Sequence, residues 1–140
     1  MLKAEKFKPA LIFGDMENSE RDEMIKKFRE RKVQVVIITN ILARGFDLPD
    51  IGFIINLDVP KRMDQKGVYQ PDYETYLHRI GRTGRFGCEG TSLTLFDNEE
   101  DEQLLFEIID NYDMRPLIKK IDNASDLVKK LSEYESKMFE

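Results

Sequence analysis

The sequence predicts an α/β layered fold built on a mainly parallel sheet. Short apolar, β-branched runs recur along the chain, and amphipathic stretches with helical spacing separate them. The run at 33–38 is almost wholly apolar, the pattern of a strand covered on both faces in a parallel sheet. Strands joined through helices imply right-handed crossovers, with ligands beyond the carboxyl ends of the strands.

The elements follow in order. Residues 9–13, Pro-Ala-Leu-Ile-Phe, read as a strand that leaves through a Gly14-Asp15 turn. Ser19 then opens a helix, with Asp22 three residues on completing a capping-box-like start. Met24, Ile25 and Phe28 give that helix its apolar side, and Arg31-Lys32 suit its carboxyl end. Strands are expected at 33–38, at 51–57 and at 91–96. Helices are expected at 73–80 and at 99–112, the second with a stripe of Leu104, Leu105, Ile108, Ile109 and Tyr112 that Pro116 ends. The acidic run at 97–102 favours that helix's amino end. A last helix at about 125–138 buries Leu127, Val128, Leu131 and Tyr134.

Composition narrows the classes. A chain of 140 residues, 41% hydrophobic and 35% charged, is the size of one domain and can bury a core. No apolar run approaches the roughly 20 residues of a membrane helix, and the start MLKAEKFKPA lacks the apolar core of a secretory signal. One cysteine, Cys88, and one histidine, His78, are too few for an internal disulfide or a structural zinc, so a cytosolic or nuclear setting is the expectation, with no membrane insertion. The net charge of −5 is unevenly spread: residues 1–96 carry 16 Lys and Arg against 14 Asp and Glu, residues 97–140 carry 6 against 13. Phosphate chemistry therefore belongs to the first two thirds.

Two constellations carry that chemistry. His78-Arg79-Ile80-Gly81-Arg82-Thr83-Gly84-Arg85 packs three arginines and a histidine around two glycines. Arg82 and Arg85 are three apart, so after a helix end they can converge, and two guanidinium forks suit a phosphate better than a lone carboxylate. The second, Thr39 to Asp47, follows the most buried strand and includes Arg44 and Gly45. It can bind phosphate and sugar, with Asp47 accepting from ribose hydroxyls, or it can be a strand-to-helix turn with Asp47 as a cap.

Ala43-Arg44-Gly45-x-Asp47, followed some thirty residues on by HRIGRTGR, resembles motifs V and VI of DEAD-box RNA helicases. From Gly14 to Gly90 the chain is similar to that family's C-terminal RecA-like domain, with Gly14-Asp15 at its GD turn and Asn18 to Arg21 at its Q-x-x-R motif. Asn18 replaces the usual glutamine, and Phe13 stands where a histidine is common. The resemblance implies a RecA-like three-layer fold over residues 1–140, ending in a helix at about 123–140. It also implies truncation at the N-terminal edge, with Leu2 to Glu5 as the end of a helix begun before Met1.

The same resemblance implies roles. Arg82 and Arg85 are the arginine fingers on the γ-phosphate of ATP; Gly45 and Asp47 bind the nucleotide; Gly14, Arg21, Thr39 and Arg44 bind RNA through its backbone; His78 couples to the amino-terminal RecA-like domain. No G-x-x-x-x-G-K-[ST] and no Asp-Glu-Ala-Asp segment occurs, so Mg2+ is held by that other domain and this chain alone is expected to be inactive. A long loop at 61–71 and the tail around Lys129 and Lys130 resemble the nuclear mRNA-export members. These work at the nuclear pore with an export activator and an inositol polyphosphate, although for the two lysines a solvated helix face is the simpler reading. The rival expectation is a helicase-derived module that binds RNA or protein without catalysis.

Overall fold

In the computed structural model, residues 9–39, 51–84 and 90–138 are described. They form β1 (Pro9–Ile12), α1 (Asn18–Arg29), β2 (Val35–Ile38), β3 (Phe53–Asn56), β4 (Lys61–Met63), β5 (Tyr69–Pro71), α2 (Tyr73–Ile80), β6 (Thr91–Thr94), α3 (Glu99–Asn111) and α4 (Ala124–Met138). A 3₁₀ turn, Arg115–Leu117, lies between α3 and α4. The chain falls into two compact units, Met1–Ile108 and Ile109–Glu140.

The fold is mixed α/β with parallel pairing, as the strand–helix alternation predicts. β1 pairs with β2 in parallel, Ile12 opposite Ile38, and β3 with β6, Asn56 opposite Thr94. Because strand side chains alternate faces, Ala10 and Ile12 share one face with Val36 and Ile38. Ile12 and Ile25 of α1 form a buried cluster with Met16, Met24, Val36, Ile38 and Ile51 around them. The opposite face differs from expectation: Leu11 is 52% and its partner Ile37 40% exposed, so among the described residues β2 is covered on one side only.

Three helices start on a side-chain cap. Asp72 accepts from the Thr75 amide (3.0 Å) at α2, Asn98 from the Asp101 amide (2.8 Å) at α3, and Asn123 from the Asp126 amide (2.9 Å) at α4. The expected Ser19–Asp22 box is not formed: α1 begins one residue earlier, at Asn18, with no side-chain cap. The Asn18 carboxamide oxygen instead accepts from Arg21 (3.2 Å). α1 also stops at Arg29, short of Lys32, because Arg31 takes a left-handed φ of 56°.

Three further expectations are corrected. Pro116 does not end α3; the helix stops at Asn111, where Asp113 adopts φ 53° and the Met114 amide bonds back to the Ile109 carbonyl (3.0 Å). Val128 is 67% exposed, because it lies about 100° around α4 from the half-buried i, i+4 pair Leu127 and Leu131. Residues 61–71 are not an open loop. They are an antiparallel hairpin, β4–β5, whose Asp64 carboxylate accepts from the amides of Lys66 (2.8 Å) and Val68 (2.9 Å).

Candidate functional site

Two edges of the parallel pairs carry the residues singled out in the sequence. At the carboxyl edge of β1–β2 the Thr39 amide donates to the Ile12 carbonyl (3.3 Å), so Thr39 and the Gly14 turn emerge side by side. Arg21 reaches back from the first turn of α1 and donates to the carbonyls of Gly14 (3.2 Å) and Met16 (3.0 Å). The guanidinium thereby fixes the turn that presents Gly14, while Thr39 stays exposed. Three of the four expected RNA contacts are thus brought together. Arg44, with Gly45 and Asp47, lies outside the described residues.

The arginine-rich turn lies elsewhere. Contrary to expectation, it is not beyond the carboxyl ends of the strands. The Ile51 amide donates to the Arg82 carbonyl (3.4 Å), and the Thr83 hydroxyl to the Gly52 carbonyl (3.2 Å). Both acceptors and donors meet just before β3 begins, beside the start of β6, whose Thr91 amide also bonds Gly52 (3.3 Å). The reason is the path of α2. The hairpin turns the chain at the end of β3, where the Asp72 amide bonds the Pro60 carbonyl (3.0 Å). Eight helical residues then run roughly 12 Å, enough to bring the chain back along β3 to its beginning.

Polar contacts tie α2 to its neighbouring strands. Tyr76 is buried, and burial raises its phenol pKa above the usual value while its hydrogen bond with Thr94 opposes the rise. Thr94 in turn accepts from the buried Asn56 carboxamide (3.1 Å), so helix and both strands share one chain of hydrogen bonds. Arg79 donates to the Asp58 carbonyl (3.0 Å) and to both carboxylate oxygens (3.1 and 3.4 Å). His78 lies 3.9 Å from Glu74, and its Nδ1 is buried without a hydrogen-bond partner among the described residues.

Glycines close the turn. A Cβ at Gly81 would come within 2.9 Å of the Leu77 carbonyl oxygen, and Gly84 has φ 68°. At Gly90 a Cβ would collide with the Gly84 nitrogen and with Thr83. The turn carrying the half-buried Arg82 therefore has no room for a Cβ at Gly81 or Gly90. Arg85 and Cys88, and with Arg85 the expected convergence of the two arginines, lie outside the described residues.

In the second unit, Lys130 pairs with Glu133 (2.7 Å). Its hydrogen bond and charge, with lesser help from Lys129 and Lys119, hold the Glu133 carboxyl below the ordinary range. Among the described residues no group of three or more His, Cys, Asp and Glu could hold a metal ion, and no helix is long and apolar enough to cross a membrane.

Sequence reading missed Tyr76, Thr94 and Asn56 as a polar unit, and Asp58 as the partner of Arg79. Twenty-one residues separate Arg79 from Asp58, and no local pattern signals such a pair.

Comparison with known proteins bears on these features. Residues 1–87 match the helicase conserved C-terminal domain. The chain is similar to the ATP-dependent RNA helicase dbp5 of Sclerotinia sclerotiorum, 42% identical over 134 residues, which cover 93% of this chain and 28% of that protein. It thus spans little more than a quarter of that relative's length. S. cerevisiae Dbp5 bound to RNA and ADP BeF3 is similar in structure, with a TM-score of 0.77 and 33% identity over 99% of this chain and 34% of that one. The C-terminal domain of a S. cerevisiae Dbp5 variant bound to a Gle1 variant and IP6 has a TM-score of 0.72 and 32% identity over 94% and 71% of the two chains.

Proposed function

Because this chain belongs to the helicase conserved C-terminal domain family, as the C-terminal RecA-like domain of a DEAD-box protein, we propose that it supplies one wall of an ATP-dependent RNA helicase. ATP, bound with Mg2+ on an amino-terminal RecA-like domain, provides the phosphoryl group whose transfer to water drives the cycle. Arg82 carries the reading: its turn is pinned to the start of β3 by the Ile51 and Thr83 hydrogen bonds, and glycines leave it no slack. A backbone anchored there would give the Arg82 guanidinium a fixed origin from which to meet developing phosphoryl charge, and fixed donors need little reorganisation at the moment of transfer. Arg85 would add a second fork, while Gly45 and Asp47 would hold the nucleotide. His78, whose side chain is partly exposed, would contact the amino-terminal domain.

RNA would lie along the carboxyl edge of β1–β2. There the Gly14 turn, fixed by Arg21, and the Thr39 hydroxyl can meet sugar and phosphate without reading bases, with Arg44 adding charge. The likeness to Dbp5 bound to a Gle1 variant and IP6 supports work in mRNA export or mRNP remodelling, in nucleus and cytoplasm and at the nuclear pore. An export activator and an inositol polyphosphate are partners on this reading. Lys129 and Lys130, with Lys119 near enough to act on Glu133, would contribute to the polyphosphate surface. Residues 1–140 would then be one C-terminal domain with α4 as its terminal helix.

The test joins this chain to the amino-terminal RecA-like domain of a Dbp5 relative and measures RNA-stimulated phosphate release. Arg82→Ala is expected to lower turnover by about 10³-fold or more, the range known for arginine fingers, with an unchanged melting temperature. Near-normal turnover would leave the rival reading, a binding module without catalysis.

A further inference from the structure

We propose that Arg79 is a positioning residue for Arg82, acting through its clamp on Asp58; this rests on the role of Arg82 proposed above. Three hydrogen-bonded links index α2 along β3: Asp72 to Pro60, Arg79 to Asp58, and Arg82 to Ile51. Apolar contact alone would leave the helix free to slide, because it is non-directional. Hydrogen bonds fix distance and angle. A slip of one residue moves a helix by roughly 1.5 Å, and about 1 Å of misplacement at a reacting centre can cost on the order of 10²-fold in rate.

Among the three links, the Arg79 clamp is the one built from a charged fork. The Arg79 side chain is only 10% exposed, while Asp58 is 62% exposed and sits at the exit of β3. The guanidinium straddles that exit, donating to the carbonyl and to both carboxylate oxygens of one residue. Planar, bidentate pairing of this kind constrains orientation as well as distance. Three residues further on, the carbonyl of Arg82 is bonded at the other end of the same strand. Clamp and turn thus hold α2 at both ends of β3, and the reach of Arg82 is set by a strand rather than by a loop. The first arginine of the HRIGRTGR run is therefore spent on the fold, and its charge is met by Asp58 rather than by a nucleotide.

Lysine at 79 keeps the charge and loses the fork, so it leaves no ion without a counter-charge; asparagine at 58 keeps the shape but leaves the buried Arg79 cation facing a neutral carboxamide, so its melting temperature is measured beside its turnover. In the joined two-domain protein, Arg79→Lys and Asp58→Asn are each expected to lower kcat for RNA-stimulated hydrolysis by about 10- to 100-fold, with KM for ATP within about twofold. In an Arg82→Ala background neither should cost anything more, because the clamp acts only through that side chain. Losses that multiply with Arg82→Ala would overturn the proposal. The 140-residue chain by itself allows a second measurement. Hydrogen exchange at the Ile51 amide, which is bonded to Arg82, should quicken about tenfold in Arg79→Lys, while the Thr39 amide, bonded to Ile12, keeps its rate. An unchanged Ile51 rate would also overturn it. If Arg82→Ala leaves turnover intact, the finger reading fails while the exchange result still judges the clamp.

Discussion

Helices α1 and α2 each lie against one strand of a parallel pair, yet they are held by different means. α1 has 12 residues, no side-chain cap and a buried isoleucine over Ile12. α2 has eight residues, an aspartate cap, and a tyrosine as its one buried side chain. α1 sits on an apolar seat and spends one side chain, Arg21, on fixing the Gly14 turn, whereas α2 is bonded at its start, its middle and its end. α1 begins without a side-chain cap and α2 with one.

The contrast can be broken most forcefully from the apolar side. Ile12 is 1% exposed beneath α1, and Ile12→Ala should lower unfolding stability by about 2–5 kcal/mol, read by urea titration of the chain. A loss well below that range would mean that α1 does not depend on its apolar seat. The caps sharpen the comparison at a smaller scale. Asp72→Ala removes the acceptor for the Thr75 amide and hydroxyl and should cost about 1 kcal/mol. Ser19→Ala, at the uncapped start of α1, should stay within about 0.5 kcal/mol. Equal costs would show that both helices rely on their starts.

The smallest effect is local and set by pH. Asp64, in the hairpin that feeds α2, is held below the usual aspartate range mainly by its hydrogen bond from the Val68 amide. Its contribution is complete above the unfolded aspartate value of about 3.9 and fades as pH falls through the lower folded value. The carboxyl resonance of Asp64 should therefore titrate below that of an aspartate in a model peptide. An ordinary midpoint would mean that the turn is not built on the carboxylate.

Much of the layout was legible in the chain itself. The apolar runs at β1, β2, β3 and β6 and the spacing of α2 and α3 are one-dimensional patterns, and each element falls within the expected stretch. The start of α1 differs because the helix takes in Asn18 as its first residue, which puts Ser19 inside the first turn instead of at the cap. The hairpin was missed because β4 and β5 are three residues each and mostly polar; Asp64 and Gly67, with φ 79°, were its only local signs. The site split in the same way. HRIGRTGR marked the turn, but its edge of the sheet depended on the length of α2 and on contacts between residues twenty or more apart.

Gly84 and Gly90 bring the chain back almost to the point it left. A single added methyl at 90 would therefore push the Thr83 hydroxyl off the Gly52 carbonyl and unlatch the end of α2.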